Sequence, residues 1–484
     1  MTAMAGLGTM SSLTTVATTF TTVVATTLTT MVATTLSPGA ALGADYIIDN
    51  NTPQTQANIQ PSPNTGYVMV GDKNSSQSLT IDQSYSNALL IIGHTAASTN
   101  NTVTIKDLTT VYTNVAGSPT AVTGPAVLVG ENSSGNTLEV LNGAQLKITA
   151  VDGSSAYDLQ IGYNKGADNN TLRVSGAGSS LSVQNTLYTG FAGANNTLEI
   201  LNGASATAGQ MRIGGGTDSA IGNPGAVPSG NLVKVDGKGS SLTVLGSVNL
   251  GHSGKQSVVG DSNRLEVTNG ATATIGITNL KSISIGHNDA SNSNQLLVSG
   301  SGSTLTAYNI NVGSGKNTGN SLNIGDQGII NAGAVSFKDD SIFEYGAGGS
   351  QPALLSVQTK AEVLTNVNVK PYIAPGTSLQ NHYRMLQAGS ITGSFASLDT
   401  SNLPASLGAS LVQTSTAVDL ELTARLGVGA GLGTNQTNVA QGINNPFNQG
   451  APLPATFAQL FSSPTTSALG QQLSLLSGGR ATGV

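Results

Sequence analysis

A short segment recurs along much of the chain and reads Asn-x-φ-x-φ followed by a turn, where φ is an aliphatic residue. The clearest copy runs from Asn136 to Ala144 (Asn-Thr-Leu-Glu-Val-Leu-Asn-Gly-Ala). Further copies begin at Asn101, Asn170, Asn196, Asn231, Asn263, Asn294 and Asn320, so neighbouring copies are 26 to 35 residues apart. A recurrence of this length indicates a solenoid, a propeller or another repeat array.

Each copy has the pattern of a β-strand with one buried face. Leu138 and Val140 alternate with Thr137 and Glu139, which is the period-2 signature of such a strand. We therefore expect one aliphatic position of each copy to form a fully buried column, made of Val140, Val174, Ile200, Val235, Val267 and Val298.

Two more short strands with glycine-containing turns complete each repeat. Three strands in about 30 residues predict one coil of a right-handed parallel β-helix, since a propeller blade needs four strands in about 40–50 residues. The turn after the first strand alternates between Asn-Gly, as at Asn142, and Gly-x-Gly, as at Gly176. The sequence therefore predicts an all-β, right-handed parallel β-helix (β-solenoid) whose repeating unit is a pair of coils.

The composition agrees with a β-helix and excludes several other classes. Only 9% of residues are charged and 4% are aromatic, with 61 glycines, whereas ordinary domains have about 25% charged residues. Disorder is excluded because the 38% of hydrophobic residues recur in register. The net charge of −6 and the lack of a basic cluster argue against a nucleic-acid partner. Without cysteine there is neither a disulfide framework nor a thiolate metal site.

We divide the chain into four segments. Residues 1–44 contain an uncharged Thr/Ala/Val tract and end in Ala-Leu-Gly-Ala, which predicts an export signal (signal peptide), although the usual basic start is missing. The alternative is a low-complexity leader without a function. Residues 45–345 are the β-helix repeats, and an insertion at Thr217–Ser229 is expected to form a loop at one corner.

The last two segments differ from the repeats. Residues 346–425 continue with strands and are predicted to form a C-terminal cap of the β-helix. Residues 426–484 are predicted to be a short linker with α-helix outside the solenoid, interrupted at Pro452 and Pro454. We expect its apolar residues to be loosely docked; they are Leu460, Phe461, Leu469, Leu473 and Leu476.

Two groups of motifs near the C-terminus carry a family resemblance. The stretch Tyr383–Phe395 (Tyr-Arg-Met-Leu-Gln-Ala-Gly-Ser-Ile-Thr-Gly-Ser-Phe) resembles the signature that closes the passenger of type V autotransporters. Asn438–Asn444, Ala451–Pro454 and Leu473–Gly478 resemble the linker of alphaproteobacterial members. The resemblance implies that 346–425 is an autochaperone-like cap. It also implies a translocator barrel after the linker, which lies outside these 484 residues.

The candidate chemistry-bearing residues are few. Three of the four histidines follow a glycine at the same repeat position: His94, His252 and His287. His252 and His287 should lie on neighbouring coils, so a metal-binding pair is one interpretation. The other, which we favour, is a solvent-facing turn, because the equivalent residues vary; they are Glu131, Tyr163, Phe191, Gly215 and Ser314.

The remaining candidates have no matching partners. Ser262 in Gly260-Asp-Ser-Asn263 invites an esterase interpretation, but nothing places a histidine base beside it. His382 has no evident partner, and turns such as Asp168-Asn-Asn170 lack the glycine-rich calcium motif of β-solenoids. We therefore assign no catalytic residue, no cofactor and no metal ligand.

Two functions remain, from different classes. The favoured one is a non-enzymatic autotransporter passenger, serving adhesion or surface display, secreted or held at the cell surface of a Gram-negative bacterium. We expect a monomer whose partners are an unknown host or environmental surface ligand and, through the barrel, the outer membrane. The alternative is a β-helical enzyme acting on polysaccharide, as pectate-lyase-like proteins do. Three or more carboxylates converging on one groove would favour the enzyme.

One further pattern concerns the outward position between the two buried residues of each first strand. It is occupied in order by Glu139, Arg173, Glu199, Lys234 and Glu266, with Leu297 next. Parallel strands place like positions about 4.8 Å apart, so alternating signs would pair each base with two acids. Exposed pairs contribute only about 0–1 kcal/mol each. We therefore expect the column to penalise slipped registers rather than to stabilise the fold.

Overall fold

The computed structural model describes residues 46–477 except 56–66, 88, 108–110, 117–125, 151–157, 217–224, 253–259, 278, 288–289, 315, 339, 350, 430 and 464. The proposed export signal at 1–44 and most of the Thr217–Ser229 insertion therefore lie outside the described residues. The described chain is dominated by short strands and has three helices near its C-terminus.

The strands follow one another with short connections. In chain order they are β1 (Tyr46–Ile48), β2 (Gln54–Thr55), β3 (Tyr67–Val70), β4 (Ser78–Ile81), β5 (Tyr85–Asn87), β6 (Leu89–Ile92), β7 (Thr102–Lys106), β8 (Val111–Ala116), β9 (Val127–Val129), β10 (Thr137–Leu141), β11 (Gln145–Ala150), β12 (Leu159–Ile161), β13 (Thr171–Ser175), β14 (Ser180–Thr189), β15 (Thr197–Leu201), β16 (Ser205–Ile213) and β17 (Leu232–Asp236). The second half continues with β18 (Ser241–Val244), β19 (Val248–Leu250), β20 (Arg264–Thr268), β21 (Thr272–Ile275), β22 (Ser282–Ile285), β23 (Gln295–Ser299), β24 (Thr304–Val312), β25 (Ser321–Gly325), β26 (Ile329–Phe337), β27 (Ile342–Ala347), β28 (Leu354–Val363), β29 (Asn368–Ile373), β30 (His382–Thr392), β31 (Ser397–Leu398), β32 (Leu407–Gln413) and β33 (Ala417–Ala424). The helices are α1 (Thr434–Asn448), α2 (Ala455–Phe461) and α3 (Thr466–Leu476).

These strands form a parallel β-helix. One sheet of 13 strands runs from β2 to β31 and contains the first strand of each coil; it includes every strand that begins after a repeat asparagine. A second sheet of 20 strands contains the other two strands of each coil. The second and third strands of each coil belong to one sheet because the long strand β14 pairs with β11 through its first half and with β12 through its second half. The prediction of three strands per coil is confirmed.

The core is one continuous aliphatic column, in the register that the sequence predicts. Val140 pairs with Val174, which pairs with Ile200, and the same position continues through Val235, Val267 and Val298. All six side chains are fully buried. Because a shift by one residue would reverse every face, their burial confirms the predicted orientation of the whole first sheet.

The eight repeat asparagines form a second buried column at one corner of the coils. From Asn101 to Asn320, each side-chain Nδ2 donates to the Oδ1 of the asparagine in the next coil, at 2.9–3.2 Å. The same Oδ1 also accepts the backbone N–H of the preceding asparagine, as Asn170 Oδ1 does from Asn136 at 2.9 Å. The buried amides therefore find partners in each other, which is the condition for burying polar groups.

A glycine lies against each of these asparagines. The eight glycines are Gly71, Gly93, Gly130, Gly162, Gly190, Gly214, Gly251 and Gly286, and all have φ between +66° and +79°. A β-carbon on any of them would come within 2.7 Å of the asparagine side chain of the following coil. Glycine is thus required for two reasons: the backbone is left-handed, and the asparagine side chain leaves no room for a β-carbon.

The two alternating turn types fit one another across coils. In the Gly-x-Gly coils a serine follows the turn, and its hydroxyl accepts the N–H of the Asn-Gly glycine of the previous coil. The pairs are Gly143 to Ser179 at 2.9 Å, Gly203 to Ser240 at 3.0 Å and Gly270 to Ser303 at 2.9 Å. The serine hydroxyl in turn donates to the carbonyl four residues earlier, as Ser179 does to Ser175 at 2.7 Å. This pairing accounts for the two-coil repeat.

The charged column lies on one face as predicted, but its ion pairs stop halfway. Arg173 contacts Glu139 at 3.2 Å and Glu199 at 2.7 Å. Lys234 sits between Glu199 and Glu266 in register, yet it forms no ion pair within the described part of the chain. Glu266 instead binds Arg264 of its own strand at 2.7 Å. The expectation of a continuous ladder is therefore wrong at Lys234, since Arg264 competes with it for the Glu266 carboxylate.

The β-helix continues past residue 345 and then closes with antiparallel strands. β28 and β30 still pair in parallel, whereas β33 runs antiparallel to both β30 and β32. Aromatic rings fill the end of the core: Phe337 lies 5.6 Å from Phe343, and Tyr345 lies 6.2 Å from Tyr383, measured between centroids. Within the Tyr383–Phe395 motif, Gly389 allows a close approach, because a β-carbon there would lie 2.6 Å from the carbonyl oxygen of Thr359.

The C-terminal helices dock on this cap. In α1, Asn448 bonds the backbone of Ala424 and Asn444 bonds that of Leu426, each through one N–H and one carbonyl at 2.7–3.1 Å. Leu460, Phe461, Leu469 and Leu473 are buried, while Leu476 is 48% exposed. The predicted helices are present, but loose docking is wrong for those four residues, because their side chains are buried in the main hydrophobic core. None of the described helices has both the length and the apolar composition needed to cross a membrane.

Candidate functional site at the glycine corner

The residue directly after each of the eight glycines that lie against the repeat asparagines, and after Gly313 one coil further on, occupies a corner of the β-helix. Together these nine residues form what we call the corner column. It consists of Asp72, His94, Glu131, Tyr163, Phe191, Gly215, His252, His287 and Ser314. The glycine turns the chain out of the coil, so the next side chain points away from the core. The column therefore collects three histidines, two acids and two aromatic rings along one corner.

The first part of the column is a charged cluster. His94 Nδ1 lies 2.5 Å from Glu131 Oε2, and His94 Nε2 lies 4.0 Å from Asp72 Oδ1. The hydrogen bond with Glu131 raises the pKa of His94, with smaller contributions from the charges of Glu131 and Asp72. Thr95 helps fix this corner, because its hydroxyl donates to the Asp72 carbonyl at 2.5 Å.

The middle of the column is aromatic and largely buried. The Tyr163 and Phe191 centroids are 5.2 Å apart, and Phe191 meets Tyr188 edge-on at 5.0 Å. Tyr188 belongs to β14 and points outward, beside the column. Phe191 and Tyr188 are only 6% and 4% exposed. The interpretation of the column as a solvent-facing turn is therefore wrong here, since these rings pack on one another and on Ala226.

The last part of the column holds a pair of stacked imidazoles. The rings of His252 and His287 have centroids 4.8 Å apart and are inclined by 26°. Burial lowers the pKa of His252 to about 3, and the nearby charges of Arg212 and His287 act in the same direction. Burial of its inner side and the charge of Arg212 also lower the pKa of His287, although this ring is the more exposed of the two.

Arg212 is the group that distinguishes this end of the corner. It projects outward from β16, in register with Tyr188 of the preceding coil, and its guanidinium carbon lies 5.6 Å above the Tyr188 ring. Its Nε and Nη1 atoms are buried and have no hydrogen-bond partner, and neither does Nδ1 of His252. Buried donors without acceptors are uncommon in folded proteins. These atoms are therefore the clearest unsatisfied chemistry in the described chain.

Asp158 is a carboxylate whose pKa is affected by the charge of Arg212, but its hydrogen bonds are made to other residues. Its Oδ1 accepts from Asn185 Nδ2 at 2.8 Å and from the Thr186 backbone N–H at 3.0 Å. Burial raises the pKa of Asp158, opposed by those hydrogen bonds and by the charge of Arg212. Among the described residues, whose ion pairs reach up to 4.0 Å, Asp158 forms none with Arg212.

The other candidate residues have structural surroundings. His382 is not without a partner: it lies 3.4 Å from Asp419, which also binds Arg384. Ser262 is exposed in the turn before β20, where its N–H donates to the carbonyl of Asn292 at 3.0 Å. Asp168 Oδ1 accepts the N–H of Ala194 at 2.7 Å. In the described part of the chain, no group of three or more His, Asp or Glu residues is arranged to bind a metal ion.

The sequence pattern located the histidines but missed Arg212 and Asp158. Both lie on the third strand of their coils or beside it, where the outward residues follow no repeat. The available signal was the arginine at the outward position one coil after Tyr188, where the described coils flanking this pair carry Gln160 and Asn249. Searches found no family model, no curated protein and no solved structure that matches this chain.

Proposed function

We propose that this chain is a non-enzymatic β-helical passenger of the autotransporter type, which presents its coils at a cell surface for adhesion or display. The observation that carries the proposal is the position of the Tyr383–Phe395 motif. Its strand, β30, is the last strand of the second sheet to pair in parallel, and the antiparallel hairpin β32–β33 closes the core beside it. A closing motif with this role is what the resemblance implies for residues 346–425.

The surface charges of the β-helix also support the interpretation of this chain as a structural scaffold. Many of its outward charges are paired with one another across coils: Arg173 binds two glutamates, and Lys370 lies 3.5 Å from Asp399. Such pairs maintain the register of the strands. A passenger that folds outside the cell benefits from a register set by neighbouring coils, because each new coil then has a template.

The test is display on a translocator barrel. The full chain would be joined to a barrel from an established autotransporter in a Gram-negative host, and its surface exposure measured with external protease and with antibody. We expect efficient display. Leu422→Asp buries a charge in the cap and should reduce display strongly, whereas Thr423→Asp, its exposed neighbour, should not. Retention of the wild-type chain, beside normal display of an established passenger, would contradict the proposal.

The same cells discriminate between adhesion and catalysis. Cells that display the chain should bind a panel of host and environmental surfaces better than cells that display the barrel alone. Polysaccharides incubated with the displayed chain should yield no new reducing ends. Release of such ends, abolished by substitutions at the corner column, would replace the passenger proposal with the polysaccharide-acting enzyme.

A further inference from the structure

Arg212 has hydrogen-bonding capacity that the described chain does not use. Its Nε and Nη1 are buried donors without acceptors. Leaving a buried donor unsatisfied costs about 1–3 kcal/mol, and more when the group is charged. The side chain is part of a regular strand, between the buried residues Met211 and Ile213, so its position follows from the fold.

The neighbouring groups position the guanidinium without consuming its donors. Tyr188 lies beneath it at a cation–π distance, which orients the group through its face and leaves the N–H edge free. Asp158 Oδ1 accepts hydrogen bonds from the Asn185 side chain and the Thr186 backbone N–H. Asn249, which is next to Arg212 in register on β19, forms no hydrogen bond to it among the described contacts.

His252 brings a second unsatisfied atom to the same corner. Its Nδ1 is buried without a partner, and its ring stacks on His287. Arg212 lies in register with Asn249 of the next coil, three residues before His252. Its charge also lowers the pKa of both His252 and His287. In the coil of Arg212 the corner column is occupied by Gly215, which has no side chain. A cation is disfavoured here, because the fixed charge of Arg212 would repel it.

We propose that Arg212 and His252 form a binding site for an oxyanion, namely a carboxylate or sulfate group. Arg212 donates through Nε and Nη1, and His252 donates from Nδ1. A guanidinium matches the geometry of two oxygens, and charge-assisted hydrogen bonds are about twice as strong as neutral ones. Acidic sugars and free ions both carry such groups. The inference does not depend on export or display.

The direct test uses the full chain and its histidine ring signals. The protein has four histidines, so selective labelling gives four resolvable NMR titrations. Sodium sulfate and sodium galacturonate would be added separately, with sodium chloride at equal ionic strength as the reference. We expect the signals of His252 and His287 to shift and their pKa to rise on binding, since an anion favours the charged ring. His94 and His382 serve as internal controls and should not respond.

Two variants separate the site from general charge effects. Arg212→Met removes the donors and should weaken binding by about tenfold or more, the loss expected for hydrogen bonds to a charged group. Lys234→Met removes a positive charge from the first sheet, whereas Arg212 lies on the second sheet, and it should leave binding unchanged. If Arg212→Met fails to fold, Arg212→Gln replaces it, and the wild-type ring shifts decide independently.

The outcomes are distinct. Binding of galacturonate or sulfate that is lost in Arg212→Met supports the site, and tighter binding of polygalacturonate than of galacturonate would identify an acidic polysaccharide as the source. Equal shifts with chloride, equal shifts at His94, or undiminished binding in Arg212→Met would each overturn the proposal. Failure of display on a barrel would leave this result untouched.

Discussion

Asn136 donates from its side-chain Nδ2 to the side-chain oxygen of Asn170 at 2.9 Å, and the same oxygen accepts the backbone N–H of Asn136 at 2.9 Å. Both asparagines are fully buried. Each asparagine of the column is thus a donor to the next coil and an acceptor from the previous one. Only a side chain with both functions, of this length, satisfies the two neighbouring coils at once.

Removing one rung should therefore destabilise the protein far more than the loss of one hydrogen bond. Asn170→Ala removes the acceptor of two donors of Asn136 and the donor to Asn196. We expect the free energy of unfolding to fall by about 3 kcal/mol, since buried donors would be left unpaired. Urea denaturation followed by circular dichroism measures this. Asn311→Ala, on an outward position of β24, is the control and should change stability by less than about 0.5 kcal/mol. Equal effects would contradict a structural role for the column.

The glycines next to the asparagines allow a matched comparison. Gly190 and Gly166 both have positive φ, at +75° and +85°. A β-carbon at Gly190 would lie 2.2 Å from the Asn231 side chain, whereas nothing lies within 4 Å of one at Gly166. Gly166→Ala should therefore cost only the backbone strain, about 1–2 kcal/mol. Gly190→Ala adds a collision inside the column and should cost clearly more. Similar losses in thermal and urea unfolding would show that space at Gly190 is not limiting.

The fold could be predicted because the interactions that define it repeat at fixed sequence positions. A buried valine such as Val140 recurs at the same step in each coil, and so do Asn136 and its neighbouring glycine. Period-2 alternation and turn glycines are local signals, so one sequence contains many independent copies of the same information. The positions of the helices followed similarly, from apolar spacing and two prolines.

The candidate site could not be predicted because it depends on side chains that do not repeat. Arg212, Asp158 and the His252–His287 pair approach one another through coil stacking and through outward positions on the third strand. Lys234 illustrates the same limit: the register places it between two glutamates, but the competing Arg264 is visible only when side-chain positions are known. The choice among neighbours within a few ångströms is decided by packing, which the repeat pattern does not contain.

The histidines of the corner column should give opposite pH dependences. The pKa of His252 is lowered to about 3, so between pH 6.5 and 3 the unfolded chain binds a proton that the folded chain does not. Stability contributed by the neutral ring is therefore lost as the pH falls through this window. We expect His252→Gln to lose less stability than the wild type on acidification, by up to about 1.4 kcal/mol per pH unit. Urea denaturation at a series of pH values measures the difference.

His94 is the control of opposite sign. Its pKa is raised above 6.5 by Glu131, so its contribution is complete below pH 6.5 and is lost as the pH rises through the folded-state pKa. The stability difference between the wild type and His94→Gln should therefore shrink on going from pH 6 to pH 9. If both variants deviate from the wild type in the same pH direction, the assignment of the two environments is wrong.

The C-terminal helices should open independently of the β-helix. Leu473 and Leu475 lie two residues apart in α3; Leu473 is fully buried, whereas Leu475 is 62% exposed. Truncation of a buried leucine costs about 2–5 kcal/mol, and the remaining attachments of α3 to α1 include Gln436, whose Nε2 donates to Gly470 at 3.0 Å. Leu473→Ala should therefore raise hydrogen exchange and protease cleavage in α1–α3, while Leu475→Ala should resemble the wild type.

The amides of the first sheet should keep their protection in both variants, because the stacked coils hydrogen-bond to one another and not to the helices. Loss of protection in β10–β25 with Leu473→Ala would show instead that the helices and the coils unfold as one unit.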